Sequence, residues 1–285
     1  MKMKTGLAAL VTALLLLPGI AQADEPPMKA EAPITLTSPS AILCEASTGR
    51  VIFEKNADER RPVASVNKVM TILLTLEAVD EGRVSLEDQV TVSPRAASMG
   101  GSQAFLDAGE RYKLSELLKT VIVASANDSA VALAEHLAGT EESFVRLMNA
   151  RAEELGLTNT HYVNCTGLPA QEHYTTARDV AKLSAQLDLH PIYYRYSTIW
   201  MDEIKHRGGR VTSLTNTNRL IRFYPGCDGY KTGSTNEARY CVSATAKKEG
   251  MRLIAVVLGT PAGQTRFDEA RAMLEYGFAN VQLVT

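Results

Sequence analysis

The chain has 285 residues, 45% of them hydrophobic and 22% charged, with a formal net charge of −2. That balance gives no reason to expect a nucleic-acid partner, and the hydrophobic content can bury a substantial core in one domain or two closely packed lobes. Cys44, Cys165, Cys227 and Cys241 lack the short paired spacing of zinc sites, and His136, His161, His173, His190 and His206 never fall at helical or strand ligand spacing. Neither a metal nor any other cofactor is therefore called for.

In chain order, Lys2 and Lys4 precede an apolar run from Leu7 to Leu17 and then Ala21-Gln22-Ala23. This is the layout of a secretory signal peptide over residues 1–23, cleaved after Ala23. The run is short for a membrane span, so no membrane anchor is visible, and the mature protein is expected in the periplasm or at the outer face of the cytoplasmic membrane and cell wall. Cleavage removes two lysines and no acids, which takes the net charge from −2 to −4. Residues 24–38 are polar and proline-bearing and read as a flexible lead-in.

Ala41–Glu45 and Arg50–Glu54 read as strands of a hairpin around Ser47-Thr48-Gly49. From Ser65 to about His190 the pattern is almost wholly helical, with segments Val69–Asp80, Leu114–Ala124, Ser129–Leu137, Glu141–Leu155 and Thr176–Leu187. Strands follow at Gly229–Gly233, Arg239–Thr245 and Arg252–Leu258, and a last helix at Gln264–Phe278. Strands with no helix between them pair antiparallel. The expected fold class is α/β (α+β): an antiparallel sheet built from both chain ends and flanked by helices, with an all-helical lobe inserted over about residues 66–190. A site is expected where sheet and lobe meet. Cys44 and Cys241 lie in apolar strand-like runs and read as buried free thiols, with a Cys227–Cys241 bridge left open.

The stretch from Pro62 to Gly82 organises the chain. Val66, Val69, Met70, Ile72, Leu73, Leu74, Leu76 and Val79 cover nearly the whole circumference of a helix, so it should be central and rigid. Ser65 and Lys68, three apart, share one face at its N-terminus. A serine there needs a base, and a lysine serves only when uncharged, a state favoured by burial and by a second cation. The bland reading is a cap and a snorkelling lysine. Ser125-Ala126-Asn127-Asp128, where one apolar helix ends and another begins, could likewise be plain capping. Asp228 to Thr235 carries Lys231, Thr232, Gly233 and Ser234, a cation and hydroxyls beside a glycine that lets another backbone approach, or else an ordinary strand end.

The three motifs carry weight together: Ser-x-x-Lys, Ser-x-Asn 60 residues after Ser65, and Lys-Thr-Gly 104 residues after Asn127. The set resembles the active-site serine penicillin-recognising enzymes. Pro62 to Thr71, Ser125 to Ala130, Leu155 to Thr160, Asn164 to Leu168 and Thr176 to Asp179 narrow the likeness to the serine D-alanyl-D-alanine carboxypeptidases, low-molecular-mass penicillin-binding proteins, from about Ile34 onward. The resemblance implies that the β-lactamase/transpeptidase-like catalytic domain is residues 39–285 and that the substrate is a peptidoglycan stem peptide ending in D-Ala-D-Ala, with β-lactams as acylating inhibitors. Ser65 is then the nucleophile and Lys68 its base. Ser125 relays a proton to the leaving D-alanine, Asn127 positions Lys68 and the substrate amide, and Lys231 holds down the proton affinity of Lys68. The backbone N–H groups of Ser65 and Ser234 form the oxyanion hole, and Thr232 and Arg266 bind the terminal carboxylate. For Arg266 the alternative is a surface salt bridge.

The sequence departs from the familiar members in two places. They continue into a β-rich domain and an amphipathic anchoring helix, whereas this sequence stops at Thr285, and Asn67 stands where threonine is common. Rival readings are a DD-endopeptidase using the same residues, a class A type β-lactamase and a non-catalytic penicillin sensor. For the β-lactamase the nearest match to its extra glutamate is Glu154, and slow deacylation of penicillin is expected.

Overall fold

The computed structural model describes residues 34–282. The signal-peptide reading, and the lead-in as far as residue 33, lie outside these residues. The lead-in expected through Ser38 is tied down at its end: Leu36 is buried, and the Glu269 carboxylate accepts from Thr37 Oγ1 at 2.7 Å and from Ser38 N at 3.2 Å. Folded structure thus begins before residue 39, because an acid from the far end of the chain satisfies these donors.

The chain opens with hairpin strands β1 (Ser40–Glu45) and β2 (Val51–Lys55), then a short 3-10 turn at Ala64–Asn67 leads into α1 (Lys68–Asp80). Residues 68–76 of α1 are all buried, as its all-round apolar pattern requires. A polar stretch carries β3 (Gln89–Thr91), α2 (Pro94–Ala97) and β4 (Arg111–Lys113), after which α3 (Leu114–Val123) and α4 (Asn127–Ala138) pack against α1. Threonine caps start the next two helices: Thr140 accepts from Ser143 N ahead of α5 (Glu141–Glu154), and Thr176 from Asp179 N ahead of α6 (Ala177–Gln186). The chain then forms α7 (Ile192–Ser197), β5 (Met201–Lys205), β6 (Val211–Thr215) and α8 (Leu220–Phe223), before β7 (Cys227–Thr235), β8 (Arg239–Lys248), β9 (Met251–Thr260) and α9 (Thr265–Asn280).

The main sheet has the order β2-β1-β9-β8-β7 with antiparallel neighbours throughout, so both chain ends do build it. Alternation along the strands sorts residues to its two faces. Ile42, Cys44, Ile254, Val256 and Leu258 join the helices of the inserted lobe, while Ala41, Leu43, Leu253, Ala255 and Val257 pack under Phe267, Met273 and Leu274 of α9. The lobe is not all-helical, because β3 and β4 pair within it, and a second ribbon, β5–β6, follows it.

All four cysteines are buried free thiols. Cys227 is paired with Ala246 and Cys241 with Gly233, toward opposite ends of the β7–β8 ladder, so the Cys227–Cys241 bridge does not form. No helix among the described residues is long and apolar enough to cross a membrane.

Candidate active site

The edge strand β7 and the 3-10 turn before α1 meet so closely that only glycine fits between them. A Cβ on Gly233 would lie 2.4 Å from Val63 O, 2.8 Å from Ser65 N and 2.9 Å from Val66 N. Gly167 supports the turn from the other side, where a Cβ would stand 2.0 Å from Ala64 O. Ser65 is held between them, half-buried, on a turn whose Ala64 has φ +49°. A non-glycine residue in that region costs about 1–3 kcal/mol, and surrounding structure must impose it.

Lys68 Nζ donates to Ser65 Oγ at 2.8 Å and to Thr166 O at 2.7 Å. The side chain is fully buried, and burial pushes its amine down to about 7 against the pull of Asp128. Lys231 is equally buried, and its amine is lowered well below the usual lysine range, first by burial and then by the charges of Lys68 and Arg266. Lys231 was expected to act as the second cation lowering Lys68. Burial is the first cause at both amines, and the two lysine charges repel one another, which favours an uncharged amine in the pair.

α3 ends because Ser125 turns left-handed at φ +64°, and α4 begins two residues later at Asn127. The Ser125 Oγ and the Asn127 Oδ1 are both buried without a hydrogen-bond partner among the described residues. Native structures rarely leave such atoms unpaired, so a donor-rich ligand at this corner would be stabilised. Asn127 was expected to position Lys68. Its Nδ2 instead donates to Gly100 O at 2.7 Å, and the Thr166 carbonyl holds the lysine.

Along β7, Lys231 Nζ donates to Thr232 O at 3.2 Å and Thr232 Oγ1 to Thr217 Oγ1 at 2.7 Å, while Ser234 is exposed. Arg266, at the start of α9, makes no salt bridge among the described residues. Its Nη1 donates to Gly233 O at 2.9 Å and Cys241 O at 3.3 Å, and its Nε is buried and unpartnered. The surface ion-pair reading of Arg266 therefore fails: Ser65 and Lys68 meet directly, Gly233 packs on the Ser65 turn and is reached by Arg266, Lys231, Thr232 and Ser234 lie with it on β7, and Ser125 and Asn127 stand at the α3–α4 corner, where α4 packs on α1.

Sequence reasoning gave no role to three residues. Thr166 acts through its carbonyl, presented by a loop in which Asn164 Oδ1 accepts from Thr166 N and Gly167 N. Thr217 joins the site only by its bond to Thr232. Asn67, the departure noted above, donates to Asn164 O at 3.1 Å and accepts from His173 Nε2 at 2.9 Å. Val163 N donates to His173 Nδ1 at 3.3 Å, which fixes this tautomer, and burial lowers that imidazole to about 4. Glu154, the β-lactamase-like candidate, is exposed at the end of α5 and paired with Arg151 at 2.9 Å.

Residues 27–262 match the family described as D-alanyl-D-alanine carboxypeptidase. The chain is 45% identical over 243 residues to the D-alanyl-D-alanine carboxypeptidase DacF of Bacillus subtilis, an alignment covering 85% of this chain and 62% of that one. It therefore spans less than two thirds of that relative's length. A D-alanyl-D-alanine endopeptidase of Pseudomonas aeruginosa is 31% identical over 284 residues, covering 96% of this chain and 90% of that one. The crystal structure of the D-alanyl-D-alanine carboxypeptidase DacD from Francisella tularensis superposes with a TM-score of 0.84 at 30% identity, covering 90% of this chain and 74% of that one.

Proposed function

We propose, since the chain belongs to the D-alanyl-D-alanine carboxypeptidase family, that it is a serine carboxypeptidase removing the terminal D-alanine from peptidoglycan stem peptides. One observation carries this reading: a fully buried lysine amine, lowered to about 7, bonded at 2.8 Å to the hydroxyl of Ser65. Such a lysine can accept a proton near neutral pH, as a general base must.

In this reading the substrate peptide lies along the free edge of β7 as an added strand. Its terminal carboxylate sits at Thr232 and Arg266, with Lys231 supplying positive potential. Ser65 Oγ attacks the carbonyl between the two D-alanines while its proton passes to Lys68 Nζ. The tetrahedral oxyanion is held by the backbone N–H groups of Ser65 and Ser234. Ser125 Oγ, buried without a partner, relays the proton from Lys68 to the departing amine, and the C–N bond breaks. Asn127 Oδ1, equally unpartnered, accepts from the substrate amide. Water then attacks the ester on Ser65 and releases the shortened peptide. Penicillin acylates the same serine, and deacylation is slow because Glu154, exposed at the end of α5 and paired with Arg151, is not set to activate a water. Residues 1–23 serve as a signal peptide, the chain from the anchored Leu36–Ser38 segment onward as the catalytic domain, and the enzyme works outside the cytoplasmic membrane.

The test compares the chain from residue 24 with its Ser65→Ala variant for D-alanine release from diacetyl-Lys-D-Ala-D-Ala. Release by the first and none by the second is expected. If neither releases D-alanine and neither is labelled by a fluorescent penicillin, the assignment falls. A second reading, cleavage of existing cross-links, is supported by the Pseudomonas aeruginosa endopeptidase, which aligns along 96% of this chain. Incubation with a D-Ala–diamino-acid cross-linked dimer separates the two by its conversion to monomers.

A further inference from the structure

An uncharged lysine amine has two hydrogens and one lone pair, and a general base needs that lone pair aimed at the proton it takes. Charged, Lys68 Nζ donates both to Ser65 Oγ at 2.8 Å and to Thr166 O at 2.7 Å. Once the amine is neutral, the bond to Thr166 O can stay as it is while the contact with Ser65 reverses, the hydroxyl now donating. The carbonyl therefore decides where the lone pair points, and whatever fixes the carbonyl fixes the base.

The loop that presents this carbonyl, residues 163–168, folds around Asn164. Asn164 Oδ1 accepts from Thr166 N, Thr166 Oγ1 and Gly167 N, and its Nδ2 donates to Leu168 O at 2.9 Å. Further along, Thr71 Oγ1 donates to Cys165 O at 2.7 Å, and Glu141 Oε1 accepts from Cys165 N at 3.3 Å. Among the described residues, the side chains that reach Val163 and Asn164 from outside the loop by hydrogen bonds are His173 and Asn67, which are also bonded to each other. One arrangement satisfies every group. The Asn164 carbonyl can only accept, so Asn67 turns Nδ2 toward it; Oδ1 is left for the Nε2–H of His173, and Nδ1 is left to accept from Val163 N. Asn67 is buried, 2% exposed, and directly precedes Lys68, so it links the start of α1 to the loop that orients the lysine.

We propose that Asn67 and His173 are a coupled pair of positioning residues that hold Asn164 in place and so, through the Thr166 carbonyl, aim the Lys68 lone pair at Ser65. The assignment rests on the carboxypeptidase reading. Neither residue touches the reacting atoms, and losing either one frees the same end of the same loop, so their effects should not add.

The test follows acylation of Ser65 by benzylpenicillin from about pH 5 to 9 in the wild type, Asn67→Leu, His173→Leu and the double variant, with a thermal melt of each. His173 stays neutral over this range, its imidazole being lowered to about 4, and the charged neighbours Asp128 and Lys231 are unchanged in every variant. Each single substitution should slow the plateau rate about tenfold. It should also move the acidic midpoint down by about one pH unit, because the bond to the carbonyl favours the ammonium form. The double variant should match the single ones. A midpoint that stays near the wild-type value marks a merely structural role, and a double variant slowed about a hundredfold marks two separate defects. Either result overturns the pair and leaves the carboxypeptidase reading standing. His173 is half-buried, so if Asn67→Leu does not fold, the rate and midpoint of His173→Leu decide. A wild type that neither releases D-alanine nor is acylated takes down the carboxypeptidase reading, and the pair with it.

Discussion

Gly233→Ala tests whether the approach of β7 to the Ser65 turn is what assembles the site. The added methyl carbon would stand 2.4 Å from Val63 O, where ordinary contact begins at 3.4 Å, so strand and turn must part by about 1 Å. All three of its nearest neighbours are backbone atoms, so no side chain can swing aside. Overpacking of this kind costs about 1–3 kcal/mol in stability. The kinetic loss should be of the same order, because a 1 Å displacement of the Ser65 and Ser234 N–H groups from the developing oxyanion is worth about 10²-fold. The assay is the second-order rate of Ser65 acylation by benzylpenicillin in stopped flow, beside D-alanine release and a thermal melt of the same preparation. A folded variant that acylates within twofold of the wild type would refute the claim that this contact sets the oxyanion hole.

The acylation rate should show an acidic limb with a midpoint near pH 7, since Lys68 is a base only when uncharged and its amine is lowered to about 7. An acylation rate undiminished at pH 5 would contradict this. The same shift has a sign for stability: between pH 7 and the ordinary lysine value of 10.5 the unfolded chain holds a proton that the native state has released, so Lys68 contributes stability that rises with pH across that window, seen as a rising melting temperature. Thr217→Val removes the acceptor of Thr232 Oγ1 and should raise KM for the peptide about fivefold with kcat little changed; steady-state kinetics decide. Gly101→Ala sets a Cβ 2.8 Å from Asn127 Nδ2 at a φ of +78° and should slow acylation about tenfold or more while Lys68 stays in place, and a normal rate would show that Asn127 need not be held there. Glu269→Ala frees the Thr37 and Ser38 donors and should cost about 2–3 kcal/mol in urea unfolding, against a surface-like effect under 0.5 kcal/mol if the anchor is idle.

The local part of this architecture is written in the sequence, and the long-range part is not. Val69–Asp80 was readable as a buried helix because its apolar residues go all the way round, and α1 starts one residue earlier. The hairpin and the three late strands were readable as short strand-like runs, with two ends matched and the others shifted by one to three residues. The ribbons β3–β4 and β5–β6 were not, because their strands run three to five residues and each buries only one: Val90, Tyr112, Ile204 or Leu214. One buried residue sets no period. In the site, the Ser65–Lys68 bond follows from a spacing of three on one face. The second partner of Lys68 is a backbone carbonyl 98 residues away, and a carbonyl leaves no mark in a sequence. Thr217 and His173 are invisible for a similar reason, since each enters through a tertiary bond to a motif residue. The left-handed turn at Ser125 was hidden because serine does not announce a positive φ as glycine does.

The four unbridged thiols give the molecule a built-in reporter of its own opening. Burial pushes Cys44 and Cys227 up to about 12 and Cys241 to about 11, and raises Cys165 well above the ordinary thiol range. In the native state there is almost no thiolate to alkylate or oxidise. Cys44 packs with the lobe side of the sheet and Cys227 with the α9 side, so a maleimide clock read cysteine by cysteine distinguishes fraying of one layer from loss of the whole. It also ranks the hazards of folding under oxidants: a chain that closes its sheet quickly keeps all four sulfurs out of reach, and one that lingers open can trap a bridge that the native ladder forbids.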